Sequence, residues 1–228
     1  MNLTLFRNLI AALIFLLLLI GTYSCKLALR TVGLKNPKVE TSGSILRFLV
    51  RNDFDTANVY LLKGDSATAM EKVYWGMEGS FLYFDNNGKQ LAFKGETECP
   101  AITSASFFND LQNSFVPVDT LPNLQSILNE ISNMDGDAVS FDEISGADYY
   151  IVNYWQIFMG GRRNYGDDER MLSQRFDTLQ NINVSILRIN ADLQNSWGLK
   201  EGKKAKLKLR KEERGYYEIL ISDLPYSK

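Results

Sequence analysis

The sequence predicts an α/β (α+β mixed) fold, a mixed β-sheet with flanking helices behind an N-terminal signal or anchor segment, and three observations predict it. An Asn-Gly pair at Asn87 and Gly88 stands between two apolar runs, residues 81–84 and 89–93, where positive φ at a turn marks a β-hairpin. Two β-branched and aromatic runs, residues 149–154 and 184–190, bracket a stretch with helical spacing, giving a strand-helix-strand unit. An uninterrupted apolar run, residues 9–20, follows the lone charge Arg7 and leads into small residues, the order of a signal segment.

Of the 228 residues, 45% are hydrophobic and 23% charged, which suits a packed core and argues against bulk disorder. The net charge is -2, from 25 basic and 27 acidic residues, so neither nucleic acid nor another polyanion is expected as a partner. Histidine is absent, which excludes imidazole-based triads and His-ligated zinc. Two cysteines, Cys25 and Cys99, are too few for a disulfide scaffold or a four-thiolate metal site, and no cofactor is expected.

The N-terminal address comes from residues 1–24. The apolar run is shorter than the roughly 20 residues that span a bilayer as a helix. Cys25 directly after Ser24 resembles the lipobox of bacterial lipoproteins, in which the thiol is diacylated and the peptide is cut before it; Thr22 and Tyr23 depart from that pattern. The resemblance implies a lipid-anchored protein, and two acyl chains suffice for stable anchoring. The other reading is an uncleaved anchor with Cys25 an incidental thiol. Both place the domain outside the cytoplasm, membrane-anchored in the bacterial cell envelope, in the periplasm or at the cell surface.

Residues 25–40 read as a tether, stopped by Pro37. Ile45, Leu46, Leu49 and Val50 recur at helical spacing from Ser42, with Thr41, Ser42 and Ser44 as caps and Asn52 and Asp53 as the stop. Residues 58–62 form a buried strand, and the hairpin follows. Phe107, Phe108 and Leu111 give a helical face over 104–111, and Leu121, Leu124, Ile127, Leu128 and Ile131 a stripe over 119–134, with Pro122 in its first turn. The polar stretch 135–147, with a short strand at 138–141, is expected to link a first half, 41–134, to a second, 148–228. In the second half, strands 149–154 and 184–190 should be adjacent and parallel, with Met171, Leu172, Phe176 and Leu179 of a helix over 167–179 packed across them. Residues 205–210 and 216–222 close the chain as two antiparallel strands.

The run from Ile151 to Arg162 resembles the strand-to-helix passage of thioredoxin-like proteins. Tyr154 and Trp155 take the aromatic pair of that passage, and Met159, Gly160, Gly161 and Arg162 stand where the redox motif begins a helix. Strand 184–190 with Asp192 resembles the next thioredoxin strand. The first half has the β-β-α flavour of the closing part of that fold, so the halves form either a tandem or one rearranged sheet. The resemblance implies a thioredoxin-like sheet and, with both motif cysteines missing, no thiol exchange at this position. With the run from Gly33 to Lys38 soon after Cys25, the chain also resembles small lipoproteins of Bacteroidota-type bacteria, which implies a location and no activity.

Cys99 before Pro100 could hold a thiolate at a helix N-terminus, but Glu96 stands where resembling peroxidatic enzymes carry Thr, which favours a structural cysteine. Asn133, Asp135, Asp137, Asp142 and Glu143 begin like a calcium loop that fails at Ala138 and Ile144, leaving a solvated acidic loop. Lys204, Lys206, Lys208 and Arg210 alternate with Ala205, Leu207 and Leu209, a lysine-lined edge strand against aggregation, with contact to anionic lipid headgroups the minor reading. The expected function is therefore a membrane-anchored, non-catalytic binding or structural module. The alternatives are a tethered thiol protein using Cys99 and a hydrolase using Asp142 and Glu143, whose spacing gives it no support.

Overall fold

The computed structural model describes residues 34–77, 81–93, 115–118, 120–159, 182–211 and 217–227. In chain order these form α1 (Ser42–Arg51), β1 (Val59–Leu62), α2 (Ala69–Met77), β2 (Phe81–Asp85), β3 (Gln90–Phe93), β4 (Phe115–Pro117), α3 (Leu124–Asn129), β5 (Ile131–Ser132), α4 (Phe141–Ile144), β6 (Tyr149–Trp155), β7 (Val184–Asn190), a 3-10 turn (Asn195–Trp197), β8 (Lys206–Lys211) and β9 (Tyr217–Ser222). The expected helices over 104–111 and 167–179 lie outside the described residues, as do Cys25, Cys99, Gly160, Gly161 and Arg162.

Seven strands make one mixed sheet in the order β4-β3-β2-β6-β7-β1-β5. β6 and β7 run parallel from Tyr149 opposite Val184 to Trp155 opposite Asn190, as their apolar runs require, and β1 pairs in parallel with β7. β2 lies antiparallel against the other side of β6, and β3 and β4 continue antiparallel outward. Strands from both expected halves therefore share a single sheet.

Strand alternation divides the core into two layers. Tyr150, Val152, Leu187, Ile189, Tyr60 and Leu62 pack on one face with Val73 of α2, Leu124 and Leu128 of α3, Trp197, and Leu207 and Ile221 of the β8-β9 ribbon. Val59, Leu61 and Trp155 pack on the other face with Ile45 and Leu49 of α1. There Phe48 stacks on Trp155, with ring centroids 6.0 Å apart. Covering on both faces explains why β6 is buried at nearly every position instead of alternating.

Local chemistry fixes the element ends. The Thr41 hydroxyl accepts from the Ser44 amide at 3.1 Å while the Ser44 hydroxyl accepts from the Thr41 amide at 2.8 Å, a reciprocal cap worth about 1 kcal/mol to α1. In the hairpin, positive φ falls on Gly88 and not on Asn87. Asp85 builds the turn, its carboxylate accepting from the amides of Asn87 and Lys89, each at 2.9 Å. The hairpin is thus a five-residue turn closed by an aspartate, with its left-handed residue supplied by glycine.

Several expectations change. The helix expected over 119–134 shrinks to Leu124–Asn129: Asn123 caps it, accepting from the Ser126 amide at 2.9 Å, so Pro122 stands outside. Ile131 then leaves the helical stripe to pair with Leu62 across the sheet edge, where tertiary pairing overrides local periodicity. Residues 135–147 are tied to the body. Ala138 bridges to Ser132, α4 follows, and Val139 and Ala147 are buried. Residues 34–40 of the expected tether are likewise stitched to the fold, through Leu34 to Met159, Lys38 to Lys204 and Glu40 to Gln194. α2 has no counterpart in the sequence reading. Its lead-in is a turn in which the Asp65 carboxylate accepts from the Ala67 and Thr68 amides.

Candidate functional site

The parallel strands β1, β7 and β6 end together, and in open α/β sheets that edge is where sites are built. Here the edge is a closed polar knot. Asp192 is 1% exposed, and its carboxylate accepts from the Ile157 amide at 2.9 Å and from Asn190 Nδ2 at 2.8 Å. The Asp192 amide in turn donates to Asn190 Oδ1 at 3.1 Å. Burial pushes this carboxyl up to about 7; the amide of Ile157 and the side chain of Asn190 pull against that rise, and the nearby Glu40 charge adds to it.

Gln156, the residue after β6, donates from Nε2 to Val73 O at 2.7 Å and to Ala191 O at 2.8 Å, tying α2 to the ends of β6 and β7. This close approach requires Gly76. A Cβ there would stand 2.4 Å from Ala191 Cβ and 2.5 Å from Gln156 Nε2. Met159, the first of the four residues compared above with a redox motif, is half-buried and forms an antiparallel bridge with Leu34. A thioether can neither ionise nor attack a disulfide, and the incoming chain covers the place.

The other side chains singled out in the sequence have local duties. Asn133 accepts from the amides of Asp135 and Asp137 at 3.0 and 2.9 Å, shaping a turn. Glu143 accepts from the Ser140 hydroxyl, which caps α4. Among the described residues no group of three or more His, Cys, Asp or Glu side chains is placed to hold a metal ion.

One open feature among the described residues is a mostly apolar cleft of about 450 Å³ on the sheet face between α2 and α3, lined by Trp75, Leu82, Pro122, Ser126, Ile127, Glu130 and Tyr154. Its volume falls in the range of small-molecule sites. Lys72 Nζ sits 2.6 Å from the Glu130 carboxylate and 3.9 Å from the centre of the Trp75 ring, so one buried ammonium fixes both an acid and an aromatic wall. Burial, followed by the Glu130 charge, pushes the Tyr154 hydroxyl up to about 12. It therefore stays protonated and able to donate at any physiological pH.

Sequence reading placed Tyr154 at the end of a strand and in an aromatic pair, and passed over Trp75 and Glu130. Residues 75, 127, 130 and 154 meet only through the sheet order, and the one local signal was a tryptophan on an otherwise ordinary helix. Fold and site together define a class: a mixed α/β sheet protein whose strand ends are closed by a buried carboxyl and whose face carries an apolar cleft. Comparison with known proteins finds no matching family model, no similar curated protein and no similar solved structure.

Proposed function

We propose that this chain is a non-catalytic, thioredoxin-like binding module held at the bacterial envelope membrane by its N-terminus, and that its ligand is a flat, apolar or aromatic group seated in the cleft beside Trp75. The thioredoxin-like part draws support from the parallel pair β6-β7 with the hairpin β2-β3 antiparallel beside it, an arrangement one rearranged sheet would make from the two sequence halves. The non-catalytic part draws support from Met159 at the motif position and from Asp192, whose oxygens are taken by the chain's own donors. The observation that carries the proposal is the cleft, with its aromatic wall, a Tyr154 hydroxyl that stays protonated and a half-exposed Glu130 carboxylate.

The test is titration of the purified protein with the neutral aromatic probe N-phenyl-1-naphthylamine, read by probe fluorescence. Trp75→Ala is expected to weaken binding about 10-fold, equivalent to about 1.4 kcal/mol, and Tyr154→Phe about 3-fold. Unchanged affinity in both variants would remove the cleft from the proposal. Rapid alkylation of Cys99 near pH 6 would overturn its non-catalytic part and favour the thiol alternative.

A further inference from the structure

Resting on the membrane-anchored reading above, we propose that the outer face of the β8-β9 ribbon lies against anionic phospholipid headgroups and sets the orientation of the anchored domain. Alternation along β8 sends Ala205 and Leu207 into the core, at 0% and 8% exposure, and leaves Lys204, Lys206, Lys208 and Arg210 on the exposed side. The antiparallel bridge between Lys38 and Lys204 puts Lys38 on that same side.

Three of these five cations already have acids. Lys38 pairs with Glu40 at 3.1 Å, Lys206 with Asp223 at 2.8 Å, and Arg210 with Glu218. Among the described residues Lys204 and Lys208 make no close ion pair, Lys208 only sharing the Asp223 charge that Lys206 holds, and exposed Lys203 stands beside them. A chain of net charge -2 thus carries a local positive excess along one strand.

The position of this face relative to the anchor selects the lipid surface as its occupant. Residues 36–38 run beside the start of β8, with Pro37 O accepting from the Ala205 amide at 2.9 Å and Asn36 Oδ1 from the Leu207 amide at 3.1 Å. Nine residue steps separate Leu34 from Cys25, an extended reach of at most about 30 Å. A bilayer holding Cys25 is therefore within that distance of Leu34, and the Lys38 bridge to the basic strand lies four residues further along the chain. Headgroup attraction acts over a screening length of about 8 Å, so it operates once the tether has brought the strand close.

The experiment uses the full chain, purified from a bacterial membrane in detergent and reconstituted into vesicles of phosphatidylcholine alone or with phosphatidylglycerol. Flotation reads anchoring, and acetylation of individual lysines, followed by mass spectrometry, reads docking. The expected result is flotation with both vesicles, but at least 3-fold slower acetylation of Lys204 and Lys208 on the anionic ones, relative to Lys89 on the distant hairpin, reversed by 0.5 M salt. Flotation with equal acetylation on both vesicles would overturn the docking face and leave the anchor standing. Failure to float with either would overturn the anchored reading and this inference with it.

Discussion

Two carboxylates stand near the end of β6, and the chain treats them in opposite ways. Asp192 is 1% exposed and meets the Ile157 amide and Asn190 Nδ2, so its hydrogen bonds are made inside the protein. Glu130 keeps 45% of its side chain exposed and pairs with Lys72, its one ionic partner among the described residues. A carboxylate buried against donors of its own chain is an element of architecture. One held by a single cation at the rim of an apolar cleft retains capacity for a donor from outside, and the proposed binding site rests on this difference.

The largest effect that would break the comparison is at Asp192. Asp192→Ala strands the Ile157 amide and the Asn190 side chain in the interior and should cost about 3 kcal/mol in urea unfolding at neutral pH. Asp192→Asn keeps an acceptor and should cost clearly less. Equal losses would mean that the hydrogen bonds are incidental. A pH series sharpens the point, because burial pushes the folded carboxyl up to about 7, above its ordinary 3.8. Between those values the folded state binds the proton and the unfolded state has released it, so the Asp192 contribution to stability is full below about 3.8 and is lost as pH rises through 7. The slope is at most about 1.4 kcal/mol per pH unit. Asp192→Asn should remove this contribution, and an unchanged slope would exclude Asp192 as its source.

Next in size is Gly76→Ala, whose added methyl meets Ala191 and the Gln156 amide group and should cost about 1–3 kcal/mol. A loss within error in thermal unfolding would show that α2 can slide away from the knot. The smallest effect belongs to the cleft. A double-mutant cycle of Lys72→Met with Glu130→Gln should give a coupling of about 0.5–1 kcal/mol, discounted because Glu130 is screened by solvent. A coupling as large as the Asp192→Ala loss would place Glu130 with the architectural acids.

The same contrast marks what could be read from the sequence. β6, β7, the hairpin, α1 and the closing ribbon each carry a local signature, whether an apolar run, a turn residue or a cap, and each stands where the residues place it. β5 escaped because Ile131 continues the helical stripe of Leu124, Ile127 and Leu128, and only the exposed edge of β1 diverts it into pairing. α2 escaped because its buried positions, Ala69, Lys72, Val73 and Gly76, include one charge and two small residues, too faint a stripe to stand out. Asn190 and Asp192 could be noted as strand-end residues, yet the contact between Asp192 and Ile157 spans 35 positions and follows only from the parallel register. The cleft was the least legible feature, since its wall combines one residue each from α2, β2 and β6 with several from α3 and its flanks.

Residues 34–40 give the molecule a mechanical character. A pull from the N-terminal side enters at Leu34 and meets spaced attachments, Lys35 N to Phe158 O at 3.0 Å, Ala205 N to Pro37 O at 2.9 Å and Val39 N to Lys203 O at 2.8 Å, along the way to the buried Val39 and Glu40. The chain would peel from Met159 and β8 in steps, each lengthening the leash, while the seven-stranded sheet stays whole. The segment would act as a shock absorber for any pull on the chain ahead of Leu34, and its first release would uncover Met159.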